Sequence, residues 1–170
     1  MTNQDQPFGE VVEVYTQDAL LQLQRITINR QNKPLFTVNV TLSMLEDGRP
    51  VFESKKEMRL EEHGLSTLCQ ALMGLKHQSV IKGNHNKGKY AEAMFININP
   101  NETVNIILTS SNHERQGLEK SYSVTFYPDF RYKLLALAVS QLTLNSKGYS
   151  QTISETLSLL KAAAFPAYRR

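Results

Sequence analysis

Phe36, Val38, Val40, Leu42 and Met44 alternate with Thr37, Asn39, Thr41 and Ser43, the period of a strand with one face on a core and the other in water. Glu46-Asp47-Gly48-Arg49-Pro50 follows. Asp-Gly accepts the positive φ of a tight hairpin turn, so residues 51–60 are predicted to return as the neighbouring strand. Upstream, residues 8–16 (around Val11-Val12-Glu13-Val14-Tyr15) and 20–30 read as two more strands, the second ending in turn chemistry at Asn29-Arg30-Gln31-Asn32-Lys33-Pro34. The period then changes from two to three-and-four. Leu65, Leu68, Leu72 and Leu75 fall on one face of a helix, which is expected to pack on the sheet.

The second half repeats this order. At an offset of 66 residues Val14 meets Val80, Val38 meets Val104, Val40 meets Ile106, Leu42 meets Leu108, Leu60 meets Phe126 and Leu68 meets Leu134. Apolar positions fall on apolar positions, which predicts strands over residues 78–83, 89–98, 103–110 and 120–127. Pro128-Asp129 then opens a helix with Asp129 as N-cap and Phe130, Leu134, Leu137, Ala138 and Leu142 on its apolar face. Beyond the breaker Lys147-Gly148, Thr152-Ile153-Ser154-Glu155 has capping-box spelling and starts a last helix carrying Leu157, Leu160, Ala163 and Ala164. That helix is expected to cover its own sheet or another subunit.

The fold class is therefore α+β: two repeated ββββα units forming two packed antiparallel sheets, plus a C-terminal helix. The chain is read as one domain of 170 residues, with a flexible start at 1–7, a first unit at 8–75, a second at 76–147, and a helix and tail at 148–170. That length buries a sizeable core without metal or disulfide support. Cys69 is the only cysteine, which excludes an internal disulfide and a thiolate zinc cluster; it reads as a small buried apolar residue. His63, His77, His85 and His113 lack metal-ligand spacing, and no cofactor is expected. The beginning has no signal-peptide pattern and no apolar run reaches membrane-spanning length, so a cytoplasmic, membrane-free protein is expected.

A net charge of +3 does not by itself point to a polyanion; the placement of the charge does. Residues 76–90 hold four lysines and two histidines, and no acid occurs between Glu62 and Glu92. This basic stretch feeds the run Ala91-Glu92-Ala93-Met94-Phe95-Ile96-Asn97-Ile98. Lysines attract phosphates and aromatic faces stack on bases, the pairing used by single-strand binders. The candidate contacts are Lys82, Lys87, Lys89, Tyr90 and Phe95, with Arg25, Arg30, Lys55 and Arg59 of the first unit as further candidates for the same track. Period two sets Lys89 on the face of Phe95 and Tyr90 on the other, so one of the two aromatics is expected to pack inside.

Two units of four strands and a helix, followed by a helical segment, resemble the Whirly family of single-stranded-DNA-binding proteins. Ser54-Lys55-Lys56-Glu57-Met58-Arg59-Leu60 leading to the Leu65 helix, and Tyr122-Ser123-Val124-Thr125-Phe126-Tyr127-Pro128 leading to the Asp129 helix, resemble the strand-to-helix joints of that fold. Lys87-Gly88-Lys89-Tyr90-Ala91-Glu92 is similar to the family's Lys-Gly-Lys-Ala-Ala-Leu motif at Lys87, Gly88, Lys89 and Ala91. It departs at Tyr90 and Glu92, and by lying in the second unit. The resemblance implies a homotetramer binding single strands with little sequence preference along the sheet edges of neighbouring subunits, with RNA as the ligand of some relatives.

Gly83-Asn84-His85-Asn86-Lys87-Gly88-Lys89 also has P-loop spacing, but Tyr90 cannot supply the magnesium-binding hydroxyl and a strand follows where a P-loop needs a helix. Glu61-Glu62 sits where a helix begins and is explained by the helix dipole. The expectation is a non-catalytic single-stranded-DNA-binding protein serving replication, recombination or repair. An RNA-binding or protein-interaction scaffold of the same fold is the alternative, and a P-loop-like nucleotide binder a minor one.

Overall fold

The computed structural model describes residues 8–83, 90–112, 119–146 and 151–164. Four strands, β1 (Phe8–Tyr15), β2 (Ala19–Arg30), β3 (Lys33–Glu46) and β4 (Arg49–Arg59), form one antiparallel sheet in chain order. Helix α1 (Glu62–Leu72) follows. A second sheet, β5 (Gln78–Lys82), β6 (Tyr90–Ile98), β7 (Val104–Asn112) and β8 (Glu119–Phe126), has the same order and is followed by a 3-10 turn over Pro128–Phe130 and helix α2 (Arg131–Leu144). Helix α3 (Ile153–Ala164) comes last. The doubled ββββα plan and the added helix are those expected from the alternation.

The hairpin at the end of β3 shows the local cause most directly. Glu46 pairs with Arg49, leaving Asp47 and Gly48 as a two-residue turn with φ of 50° and 73°, the left-handed values that match strand twist. Gln31 and Asn32 turn the β2–β3 hairpin in the same way, at φ of 48° and 64°.

Leu21, Leu23, Val38, Val40 and Leu42 of the first sheet, Met94, Ile96, Val104, Ile106 and Leu108 of the second, and Leu65, Leu68, Leu72, Leu134 and Leu137 of the helices share one buried cluster. The inner faces of both sheets thus close on the same helices. Full burial of each large aliphatic side chain contributes about 1.5–3 kcal/mol. Val38, Val40, Leu42, Leu60, Val104, Ile106, Leu108, Val124 and Phe126, the positions expected inside, are all buried. Gln141, fully buried, donates from Nε2 to the carbonyls of Ile26 and Thr37 and so pins α2 to the first sheet.

Three expectations need correction. Val14 pairs with Leu21, and its counterpart is Ile81, paired with Met94; Val80 is 52% exposed. A one-residue slip in the alignment moves every side chain of a strand to the opposite face. Asp129 caps no helix, because Pro128–Phe130 forms a 3-10 turn and α2 begins at Arg131, whose N-cap position is Phe130. Leu75 lies beyond α1, which ends at the C-cap Met73.

The last helix packs against α1 and α2. Leu160 is buried in the common core, Gln70 Nε2 donates to the Leu160 carbonyl at 3.1 Å, and the hydroxyls of Thr143 and Thr156 lie 2.7 Å apart. The Thr152 hydroxyl accepts from the Glu155 amide and donates to the Glu155 carboxylate, so the capping-box residues meet as expected. The anticipated flexible start and the Lys147-Gly148 breaker lie outside the described residues.

Candidate nucleic-acid interface

Alternation gives each sheet an outer face, and register groups its side chains into rows across the strands. In the second sheet one outer row is Val80, Phe95, Ile107 and Ser123. A second is Lys82, Ala93, Thr109 and Ser121, and a third is Gln78, Asn97, Asn105 and Thr125. Met94 and Ile96, flanking Phe95 in sequence, are buried, whereas Phe95 and Ile107 are half-buried and Val80 is exposed. An aromatic ring with an aliphatic neighbour on each side therefore lies on an outer surface. Lys82 stands exposed on the adjacent row of the edge strand β5.

The edge of this face is anchored within the basic segment, at the end of β5. The Gly83 amide donates to the Glu92 carbonyl at 2.7 Å, and a Cβ on Gly83 would meet the Cβ of Glu92 at 2.7 Å, so this approach requires glycine. The Glu92 carboxylate reaches Lys56 of the first sheet at 3.3 Å. Glu92, a departure from the Whirly motif, thus joins the two sheets beside the basic segment.

Lys55, Arg59, Arg30 and Arg25 do not share this surface. Lys55 and Arg59 are exposed on β4, on the outer face of the first sheet, and Lys55 is held by Glu57 at 2.9 Å. Arg30 is paired with Glu61 at the start of α1. Arg25 shares the inner alternation of Leu21 and Leu23; its Nη2 lies 3.4 Å from the Ser140 hydroxyl of α2 and 3.6 Å from the Glu10 carboxylate. The expected single track of Arg25, Arg30, Lys55 and Arg59 is corrected accordingly. Strand period alone sets Arg25 on the helix side. Tyr90 opens β6 in register with Asn112. Lys87 and Lys89 lie outside the described residues.

The amide row of Gln78, Asn97 and Asn105 was not singled out from sequence, although Asn97 is the next residue on the Phe95 face. Asn97 Nδ2 donates to Asn105 Oδ1 at 3.4 Å, and Asn105 Nδ2 donates to Thr125 Oγ1 at 3.0 Å and to the Val124 carbonyl at 3.3 Å. Asn97, Asn105 and Thr125 thus form an oriented ladder.

Burial pushes the Cys69 thiol up to about 12, which keeps it protonated and poorly nucleophilic. Among the described residues no three His, Cys, Asp or Glu side chains cluster to hold a metal, and no helix is long and apolar enough to cross a membrane. The segment with P-loop spacing joins two antiparallel strands, β5 and β6, so its end lacks the helix N-terminus that receives phosphates.

The arrangement matches solved structures closely. It superposes on WHY3 from Arabidopsis thaliana with a TM-score of 0.67 at 13% identity, covering 94% of this chain and 99% of that one. For WHY1 from Arabidopsis thaliana the TM-score is 0.63 at 10% identity, covering 85% and 96%. The fold is Whirly-like. No protein-family model matches the sequence and no curated protein matches it. The likeness to Whirly proteins therefore resides in element order and packing.

Proposed function

We propose that the protein is a non-catalytic binder of single-stranded DNA with little sequence preference, which protects or organises single strands during replication, recombination or repair. The observation that carries this reading is the outer face of the second sheet, where Phe95 lies between Val80 and Ile107 and Lys82 stands on the neighbouring row. Bases stack on aromatic rings whatever their identity, and lysines meet the phosphates between them. The Whirly-like fold supports the same reading, since its namesake family binds single strands.

Assembly into a homotetramer belongs to this proposal. Ile153, Leu159 and Leu144 are about half exposed near the last helix, an apolar surface suited to a second copy. Leu159→Glu should lower the mass measured by light scattering without touching the core; a monomeric full-length chain at micromolar concentration overturns the assembly.

The test of binding is titration of labelled single-stranded DNA, duplex and RNA in parallel at two salt concentrations. The single strand should bind most tightly, with affinity falling as salt rises. Equal affinity for duplex overturns the reading, and a preference for RNA replaces the ligand.

A further inference from the structure

We propose that Phe95 and Asn97 form a subsite for one unpaired nucleobase, which stacks on the Phe95 ring and hydrogen-bonds to Asn97 through its Watson–Crick edge. The subsite rests on the single-strand reading above and supplies its means of telling single strand from duplex.

The two side chains occupy successive outward positions on β6, about 6–7 Å apart along the strand, so Asn97 is within reach of the edge of a base lying over Phe95. Val80 and Ile107 flank the ring in register and give the base apolar walls. Asn97 is half-buried and already oriented: one of its N–H groups is directed to Asn105 Oδ1, and Asn105 is itself fixed by Thr125 and the Val124 carbonyl. This leaves the Asn97 carbonyl oxygen and its second N–H as an adjacent acceptor and donor.

Unpaired bases present the complement. Thymine offers N3–H beside O4, cytosine N4–H beside N3, and adenine N6–H beside N1. Each pair lies on the edge that a duplex occupies with the opposite strand. A carboxamide at this position therefore accepts several bases and excludes paired ones, which joins single-strand selectivity to sequence tolerance. The first sheet repeats the amides, with Gln24 opposite Asn39, but has Gln22 at the position of Phe95, so the ring and the amide coincide on the second sheet.

The experiment compares the full chain binding an oligothymidylate with its binding the same oligomer built from N3-methylthymidine. The methyl group removes the N3–H and blocks that edge, while the phosphates and stacking faces remain. Methylation should weaken binding to the unsubstituted protein by about tenfold. Asn97→Ala should bind the plain oligomer about tenfold more weakly and lose nothing further on methylation, because the two changes remove one shared contact. If the unsubstituted protein binds both oligomers equally, or if Asn97→Ala still shows the full methylation penalty, the subsite falls and single-strand binding stands. If it binds neither oligomer, the functional reading falls with the subsite.

Discussion

The middle outer rows of the two sheets occupy the same place in the repeat and have opposite chemistry. In the first sheet the row reads Glu13, Gln22, Thr41 and Glu57; in the second it reads Val80, Phe95, Ile107 and Ser123. Gln22 donates to Glu13 at 2.9 Å, and Glu57 holds Lys55, so the first row is internally satisfied and acidic at both ends. A phosphate chain crossing it would meet two carboxylates. The second row presents a ring, two aliphatic walls and a hydroxyl. The inner faces are alike because both close on a common core, whereas packing places no such demand on the outer faces.

The largest effects should be equal in the two units. Leu42 and Leu108 occupy equivalent, fully buried positions, and truncation of either to Ala should cost about 2–5 kcal/mol in denaturant unfolding. A loss confined to one sheet would break the shared core. Next in size, Phe95→Ala should weaken single-strand binding by about 1–3 kcal/mol with little change in salt slope, whereas Gln22→Ala, its counterpart, should leave binding unaltered. Equal losses from the two substitutions would place the strand on both sheets.

Much of this was legible beforehand, and the reason is periodic. The alternation from Phe36 to Met44 and its echo from Val104 to Leu108 fixed which side chains face inward. It failed at Val80 because a β-branched residue favours a strand on either face, and a short edge strand carries too few positions to fix its register. The charged candidates were hard for another reason. Arg30 and Lys55 are spoken for by Glu61 and Glu57, pairings made by tertiary placement or by one face of a strand, and a charge count along the chain does not register neutralisation. The aromatic–amide site needed three strands in register before Val80, Asn97 and Ile107 gathered around Phe95.

Cys69 offers a comparison between folded and unfolded states. Its thiol, with an ordinary value of 9.0, is raised by burial to about 12 in the fold. A raised acid is favoured protonated, so its contribution to stability is present below pH 9 and is lost as pH climbs toward 12. Unfolding midpoints measured across that window should fall more steeply for the unsubstituted protein than for Cys69→Ala. Parallel curves would show that the thiol titrates alike in both states.

The smallest effect separates two lysines on equivalent rows. Lys55 belongs to the row that also holds Tyr15, Leu20 and Ser43, and Lys82 to the matching row of the second sheet, each on an edge strand. Lys55 is already engaged by a carboxylate 2.9 Å away. Binding a phosphate there exchanges one anionic partner for another and releases little net counterion. Lys82 lies within the basic segment, beside the Phe95 row, with its charge open to the strand. Lys82→Ala should therefore lower the slope of log affinity against log salt by about 0.7, the release expected for one phosphate of a single strand, while Lys55→Ala should leave the slope where it was. Exposed charges contribute little to folding, so both variants should keep the circular dichroism and unfolding midpoint of the parent chain. A slope that drops for Lys55→Ala and holds for Lys82→Ala would transfer the phosphate track to the first sheet, and the row of Glu13 and Glu57 would then need to lie outside it.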